Sequence, residues 1–368
     1  MNLLRIETLS SQLERFGFQG AVVIPGPTLR YLTGHEFHLM ERPVFLIVTV
    51  DQDPILVLPE LESARVDDTG GRIQIFSYAE DDASRLAALK NALTLVGTSP
   101  RNLAVEPLSM RYFELEQLRS VAPEWNFQSG TEVFTALRAQ KDEAELKHMS
   151  MAVKIAETAL QETLPLIKVG MSELDLAAEL VIQLLRAKSE TALPFQPIVA
   201  SGPNSALPHA TPTDRQLAPG DLLIIDWGAR SGGYISDITR TFAVGEVDPE
   251  FNRIHQVVLE ANIAGQSAVR PGATCNAVDQ ATRQVILDAG YGERFIHRTG
   301  HGIGLEPHEP PNIRSGEMVP LEAGMTFTVE PGIYLPGRAG VRIEDNVVVT
   351  ENGVETLTVL ERSLEVVG

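Results

Sequence analysis

The stretch that most limits how this chain can fold runs from Gly220 to Gly245, GDLLIIDWGARSGGYISDITRTFAVG. An apolar run ends at Asp226, a glycine-bearing turn follows, and a second apolar run carries Asp237. Two such runs around a short turn read as an antiparallel hairpin. With Ser231 and Gly232 as the central turn residues, pairing sets Asp226 opposite Asp237 on one face, their Cβ atoms about 5 Å apart. Two ionised carboxylates that close repel by on the order of 3 kcal/mol at an effective dielectric of about 20. Something positive has to sit between them.

Two later segments supply more of the same chemistry. HRTGHGIGLEPHEPP, from His297 to Pro311, holds three histidines in a glycine-rich stretch, and MTFTVEPGIYLPGRAGVRIEDNVVVT, from Met325 to Thr350, carries Glu330 and Glu344. Both glutamates lie among apolar and β-branched residues, where a strand buries its side chains and an unpartnered carboxylate is costly. Any one of these acids alone reads more simply as a surface or salt-bridged carboxylate. Gathered in one pocket, Asp226, Asp237, Glu330, Glu344 and one histidine make an oxygen-rich site suited to two divalent cations, manganese, cobalt or zinc. Paired metals about 3.5 to 4 Å apart lower the pKa of a shared hydroxide and polarise a carbonyl, which is amide-hydrolysis chemistry. The histidines outside these segments, His35, His38, His148 and His255, read as solvated or capping residues.

The rest of the chain frames this site. Its 368 residues, 43% hydrophobic, are two domains' worth of material. In residues 1–133, apolar runs at Ala21 to Pro25, Pro43 to Val50, Pro54 to Pro59 and Arg72 to Tyr78 interleave with helical patterns at Leu3 to Phe16 and Asp82 to Leu95, a small α/β domain. From residue 134 to 368 the texture changes. A charged amphipathic stretch from Ala136 to Ile167 predicts one long helix, and Ser172 caps a helix running to Ala187. Asp248 and Pro249 open another, and Ala277 to Ala289 a fourth. Helices then strands, twice over, predict two similar α+β halves. The single Cys275 reads as a small helix filler and leaves no intramolecular disulfide. A net charge of −19 disfavours nucleic acid as a partner. With no apolar run of about 20 residues and no export signal, the expectation is a cytoplasmic protein without a membrane partner.

At this point a resemblance carries further. SGPNSALPHA, DWGARSGGYISDITRTF, HRTGHGIGLEPHE, TVEPGIYLPG and GVRIED, in this order, are similar to the motifs of the creatinase, prolidase and aminopeptidase P superfamily, and YLTG at Tyr31 to Gly34 resembles its N-terminal domain. The resemblance covers nearly the whole chain. It implies a pita-bread catalytic domain of the α+β class behind a smaller creatinase-type α/β domain, two divalent metals per chain with manganese first, and a homodimer. It also implies Asp226, Asp237, His301, Glu330 and Glu344 as ligands, with Asp237 and Glu344 bridging. A hydroxide held between the metals would attack an Xaa-Pro peptide bond, with Glu330 also carrying the proton to the leaving nitrogen. His308 would stabilise the oxyanion and His209 orient the substrate. His297 and Arg342 match residues lining the family's substrate site, where they would orient ligands or balance charge.

The compact chain and its small N-terminal domain favour a dipeptidase acting on short Xaa-Pro peptides over an aminopeptidase acting on longer ones. A creatinase-like hydrolase and a metal-free binding module rank lower, because the ligand set is intact. Many prolidases carry an arginine eleven residues after the histidine ligand to hold the substrate carboxylate, and this chain has Asn312 there. Arg314, Arg298 and Arg42 are the candidates to replace it.

Overall fold

The computed structural model describes residues 2–66 and 72–368, and the chain divides into two compact units, Met1–Arg138 and Ala139–Gly368. In the first unit, six strands are β1 (Gly20–Val23), β2 (Phe45–Thr49), β3 (Ile55–Pro59), β4 (Gln74–Tyr78), β5 (Asn102–Val105) and β6 (Asn126–Ser129). They form one mixed sheet in the order β4-β3-β2-β1-β5-β6. The helices are α1 (Leu3–Arg15), α2 (Pro27–Thr33), α3 (Asp82–Val96), α4 (Tyr112–Val121) and α5 (Thr131–Arg138). Val22, Phe45, Ile47, Val57, Leu89, Leu93, Leu103 and Leu118 share one core between sheet and helices. β5 and β6, four residues each, carry too little pattern to be read from sequence. The division falls beyond the expected 133/134 because α5 continues to Arg138 and stays with the first unit.

The single long helix expected from Ala136 is in fact two. α6 (Glu143–Thr163) starts afresh at Asp142, whose carboxylate caps Glu145 N–H while the Glu145 side chain accepts from Asp142 N–H. This reciprocal cap satisfies the exposed first-turn donors. Between α5 and α6 the main chain pairs sideways, Lys141 N–H donating to Gly324 O at 2.8 Å. After α6 come α7 (Glu173–Arg186), capped by Ser172 as expected, and strands β7 (Ile198–Ser201), β8 (Leu222–Trp227), β9 (Arg230–Ser231), β10 (Tyr234–Ile235) and β11 (Ile238–Val244). α8 (Pro249–Ala268) and α9 (Cys275–Asp288) open the second half. They are followed by β12 (Gly300–Gly302), β13 (Glu309–Ile313), β14 (Thr326–Val329), β15 (Gly332–Leu335), β16 (Ala339–Arg342), β17 (Asp345–Thr350), β18 (Gly353–Thr356) and β19 (Val366–Val367). Each half is two helices followed by a sheet: β19-β11-β8-β7 in the first, β13-β12-β14-β17-β18 in the second. A bridge between Thr239 and Glu344 joins them.

Strand alternation decides what faces the site. Leu223, Ile225 and Trp227 of β8 and Ile238 and Phe242 of β11 pack with Leu160, Leu176 and Leu184 of α6 and α7. Phe327 and Val329 of β14 and Val347 and Val349 of β17 share a second core with Val278 and Leu321. Successive strand residues point to opposite faces. The positions left facing away from these cores are therefore Asp226, Asp237, Thr239, Thr328, Glu330, Glu344 and Asn346.

Candidate metal centre

The hairpin register differs from the expected one. Thr239, not Asp237, lies opposite Asp226, and Ser231 pairs with Tyr234, so the central turn residues are Gly232 and Gly233. Both have positive φ, 59° and 86°. A two-residue turn that matches strand twist needs positive φ at both centres, and a serine there would be strained. The shift moves the partner by two residues, so Asp237 becomes a diagonal neighbour of Asp226 and remains on the same face.

The second half brings the other expected ligands to the same place. A Cβ at Gly300 would lie 1.8 Å from Thr328 O, so only glycine lets β12 approach β14 this closely. His301 Nε2 stands 3.7 Å from Asp237 Oδ2 and 3.4 Å from Glu330 Oε1. One ligand atom each of Asp237, His301 and Glu344 falls within 4.8 Å of the others. All five expected ligands line one cavity of about 540 Å³, together with His209, His297, Arg298, His308, Arg314, Arg342 and the apolar Phe195 and Ile198.

The electrostatics of the cavity call for a cation. Burial raises the Asp226 carboxyl against the pull of Arg342. Burial first, then the neighbouring carboxylates, pushes Asp237 and Glu344 well above the ordinary range. Glu330 is raised to about 7, by burial and then by the Asp226 charge. Arg342 is the guanidinium among them, donating to Asp226 Oδ2 at 2.6 Å. The other oxygen, Asp226 Oδ1, is buried with no hydrogen-bond partner. His301 Nδ1 faces Gly302 O at 3.1 Å, so it carries the proton, and the Nε2 lone pair is aimed at carboxylate oxygens. Burial, with His308 and Arg298 adding to it, keeps His301 neutral. An imidazole lone pair facing carboxyl oxygens needs a proton or a metal ion between them, and oxygen-rich sets with one imidazole suit divalent cations.

Two buried glutamates shape the loops that carry the remaining histidines. Glu173 accepts from Ser201 N–H at 2.7 Å, Thr213 N–H at 3.0 Å and both hydroxyls, closing the loop that holds His209. Glu309 accepts from Leu305 and Glu306 N–H at 2.9 and 3.0 Å and from Lys141 Nζ at 3.3 Å, fixing the loop of His308. The His308 ring lies edge-on to His301, 4.2 Å between centroids. Burial lowers the His308 pKa, with Arg298 and His209 adding to it.

His297 lines the cavity with both nitrogens engaged: Nδ1 donates to Arg298 O at 2.7 Å, and Nε2 accepts from the Tyr334 hydroxyl at 2.9 Å. Tyr334 in turn accepts from Arg342 at 3.0 Å, and burial brings His297 down to about 4. Tyr334, Asn346 and the pair Arg240 and Asp345 escape sequence reading, although all but Asn346 lie inside the motifs. Arg314 reaches the cavity with a side chain 59% exposed and paired with Glu317. Arg42 lies in the first unit, paired with Glu80 at 3.0 Å and Glu41 at 3.2 Å. His255, expected at the surface, is 4% exposed within α8, because its side of the helix packs with Ile254 and Val258 into the core.

Fold and site together define a metal-dependent hydrolase. The chain belongs to metallopeptidase family M24, whose pattern matches residues 147–351, and residues 5–140 match the Creatinase/Prolidase N-terminal domain. It is similar to the Xaa-Pro dipeptidase of Lactobacillus delbrueckii subsp. lactis, 35% identical over 99% of this chain and 99% of that protein. Among solved structures it is similar to the dipeptidase of Pyrococcus horikoshii OT3, with TM-score 0.93 and 40% identity over 99% of this chain and 100% of that one. The prolidase of Thermococcus sibiricus follows, with TM-score 0.92 and 32% identity over 99% and 98%. The α+β catalytic unit thus has the expected pita-bread fold behind its creatinase-type domain. No helix among the described residues is long and apolar enough to cross a membrane.

Proposed function

We propose that this chain is an Xaa-Pro dipeptidase that works with two divalent cations, manganese first, held by Asp226, Asp237, His301, Glu330 and Glu344, and that it acts as a cytoplasmic homodimer. The observation that carries the reading is the meeting of Asp237, His301 and Glu344 ligand atoms within 4.8 Å, in a cavity that Asp226 and Glu330 also line. Bound there, the cations supply Lewis acidity and lower the pKa of water. Glu330 takes a proton from the attacking water and delivers it to the proline nitrogen. His308, neutral and exposed to the cavity, donates an N–H to the developing oxyanion. His209 orients the substrate main chain across the cavity. Phe195 and Ile198 offer apolar surface to the pyrrolidine ring, which has no N–H to recognise. Arg342, Tyr334 and His297 hold Asp226 and the 297–298 main chain in place. Arg42 and Arg314, each already paired with its own acid, are not assigned the substrate carboxylate.

The test is hydrolysis of Ala-Pro and Ala-Pro-Ala by protein loaded in turn with Mn, Co or Zn. Cleavage of the dipeptide alone is the expected result. Cleavage of the tripeptide alone would assign an aminopeptidase, and no cleavage with any metal would leave a binding module.

A further inference from the structure

Three guanidiniums line the cavity, and they differ in what they already hold. Arg342 is saturated: it donates to Asp226, Tyr334, Thr239 and Pro208 O. Arg314 carries its own anion, Glu317, on an exposed side chain. Arg298 donates from Nη1 to the neutral Asn312 Oδ1 at 2.5 Å, and no carboxylate of the described residues pairs with it. One of its five N–H donors is engaged, leaving an edge free for a bidentate contact.

We infer that Arg298 is the residue that receives the free C-terminal carboxylate of the substrate, which makes it the determinant of dipeptide specificity. This rests on the Xaa-Pro peptidase reading above. The argument from reach is short. One residue spans at most about 3.6 Å of extended chain, so a dipeptide's carboxylate ends close to the scissile bond and its receptor must stand beside the metal ligands. Asn312, which the Arg298 guanidinium touches, is the direct cross-strand partner of His301. The base of the side chain is equally fixed. His297 Nδ1 donates to Arg298 O at 2.7 Å, Arg283 donates to His297 O at 2.9 Å and to Phe295 O at 3.0 Å, and Thr299 N–H donates to Ile313 O at 2.9 Å. A guanidinium anchored at both ends loses little freedom on binding. Its charge also lacks compensation where it stands: burial lowers the Arg298 pKa, against the pull of Glu330 and with Arg314 adding to the lowering. An arriving carboxylate relieves that condition. A substrate continuing past proline has an amide there and no charge to offer.

The experiment compares Ala-Pro with Ala-Pro amide, which has the same scissile bond and no carboxylate, on the full metal-loaded chain with metal content measured for each variant. Arg298→Met should lower kcat/KM for Ala-Pro by roughly 10- to 100-fold, mainly through KM, and change the amide by less than about 3-fold. Arg298→Lys, which keeps the charge and loses the planar fork, should fall between. Arg314→Met should resemble the wild type. Calorimetry should show proline, and not prolinamide, losing affinity on Arg298→Met by the same factor. Equal losses on both substrates at unchanged metal content, or a selective loss in Arg314→Met, would overturn the assignment. A wild type that cleaves neither substrate with Mn, Co or Zn overturns the peptidase reading itself, and the role of Arg298 with it.

Discussion

The side-chain amide of Asn346 grips the main chain of Asp237 from both directions: its Oδ1 accepts from Asp237 N–H at 3.0 Å, and its Nδ2 donates to Asp237 O. Asn346 is fully buried and lies two residues beyond Glu344, so it ties the segments bearing two of the proposed ligands to each other. Thr239 completes the tie, its hydroxyl donating to Glu344 Oε2 at 2.6 Å and its carbonyl accepting from Glu344 N–H at 3.1 Å. From behind, Arg240 donates to Glu344 O at 2.7 Å and to the Asp345 carboxylate at 2.7 Å.

Asn346→Ala should therefore weaken metal binding by roughly 10- to 100-fold, the range found when groups that orient ligands are removed. It should also destabilise the fold by about 1 to 3 kcal/mol, since a buried N–H and C=O lose their partners. Metal titration and urea unfolding of the metal-free protein separate the two effects. Unchanged metal affinity would show that the amide is structural alone.

Asp237→Ala and His308→Ala should fail differently. Asp237 is within ligand distance of both His301 and Glu344, so its loss should abolish activity and most metal binding. His308 touches the ring of a ligand without being one, so its loss should cut turnover by roughly 10² while sparing the metals. Elemental analysis beside kcat decides; equal metal loss in both variants would refute this division of roles.

Metal affinity should rise with pH through neutrality. The carboxyls of Asp237, Glu330 and Glu344 are all raised in the metal-free site, Glu330 to about 7. A cation must displace those protons, so binding is opposed wherever the carboxyls hold them, and Glu330 ceases to oppose it above about pH 7. Calorimetry in buffers of different ionisation enthalpy should show more proton release on Mn binding at pH 6 than at pH 8. The absence of release at pH 6 would mean the carboxyls are already ionised.

His255 should make its own mark on acid stability. Its pKa is lowered to about 4 by burial and then by Arg240, and its Nε2 has no partner. With the folded value below the unfolded one of about 6.5, the unfolded chain binds the proton first. Stability is therefore complete above about pH 6.5 and falls as pH drops toward 4, by about 3 kcal/mol from this group. His255→Leu should remove that component of the slope. Urea unfolding at pH 7, 5.5 and 4 measures it, and parallel profiles for the two proteins would contradict the assignment.

Much of the catalytic unit was legible because its signals are local. Caps at Ser172 and at Asp248 with Pro249 mark helix starts through hydrogen bonds made within one turn. The acids at 226, 237, 330 and 344 are conspicuous because strand periodicity would otherwise bury an unpartnered charge. The break between α5 and α6 was not legible: Gln140 and Lys141 fit a helical pattern, and only pairing with Gly324 and Met325 draws them out of it.

The amino-acid order by itself determined which residue types occupy the inward face of each strand, since side chains alternate with period two whatever the register. That is why Asp226 and Asp237 share a face even though the turn sits one residue later than the spacing suggests. Tertiary structure alone decided which of those side chains meet. The hold of Asn346 on Asp237, the aim of His301 Nε2 at Glu330 and the hydrogen bond of the Arg298 guanidinium to Asn312 depend on how segments far apart in the chain pack, and long-range packing leaves no local pattern to read.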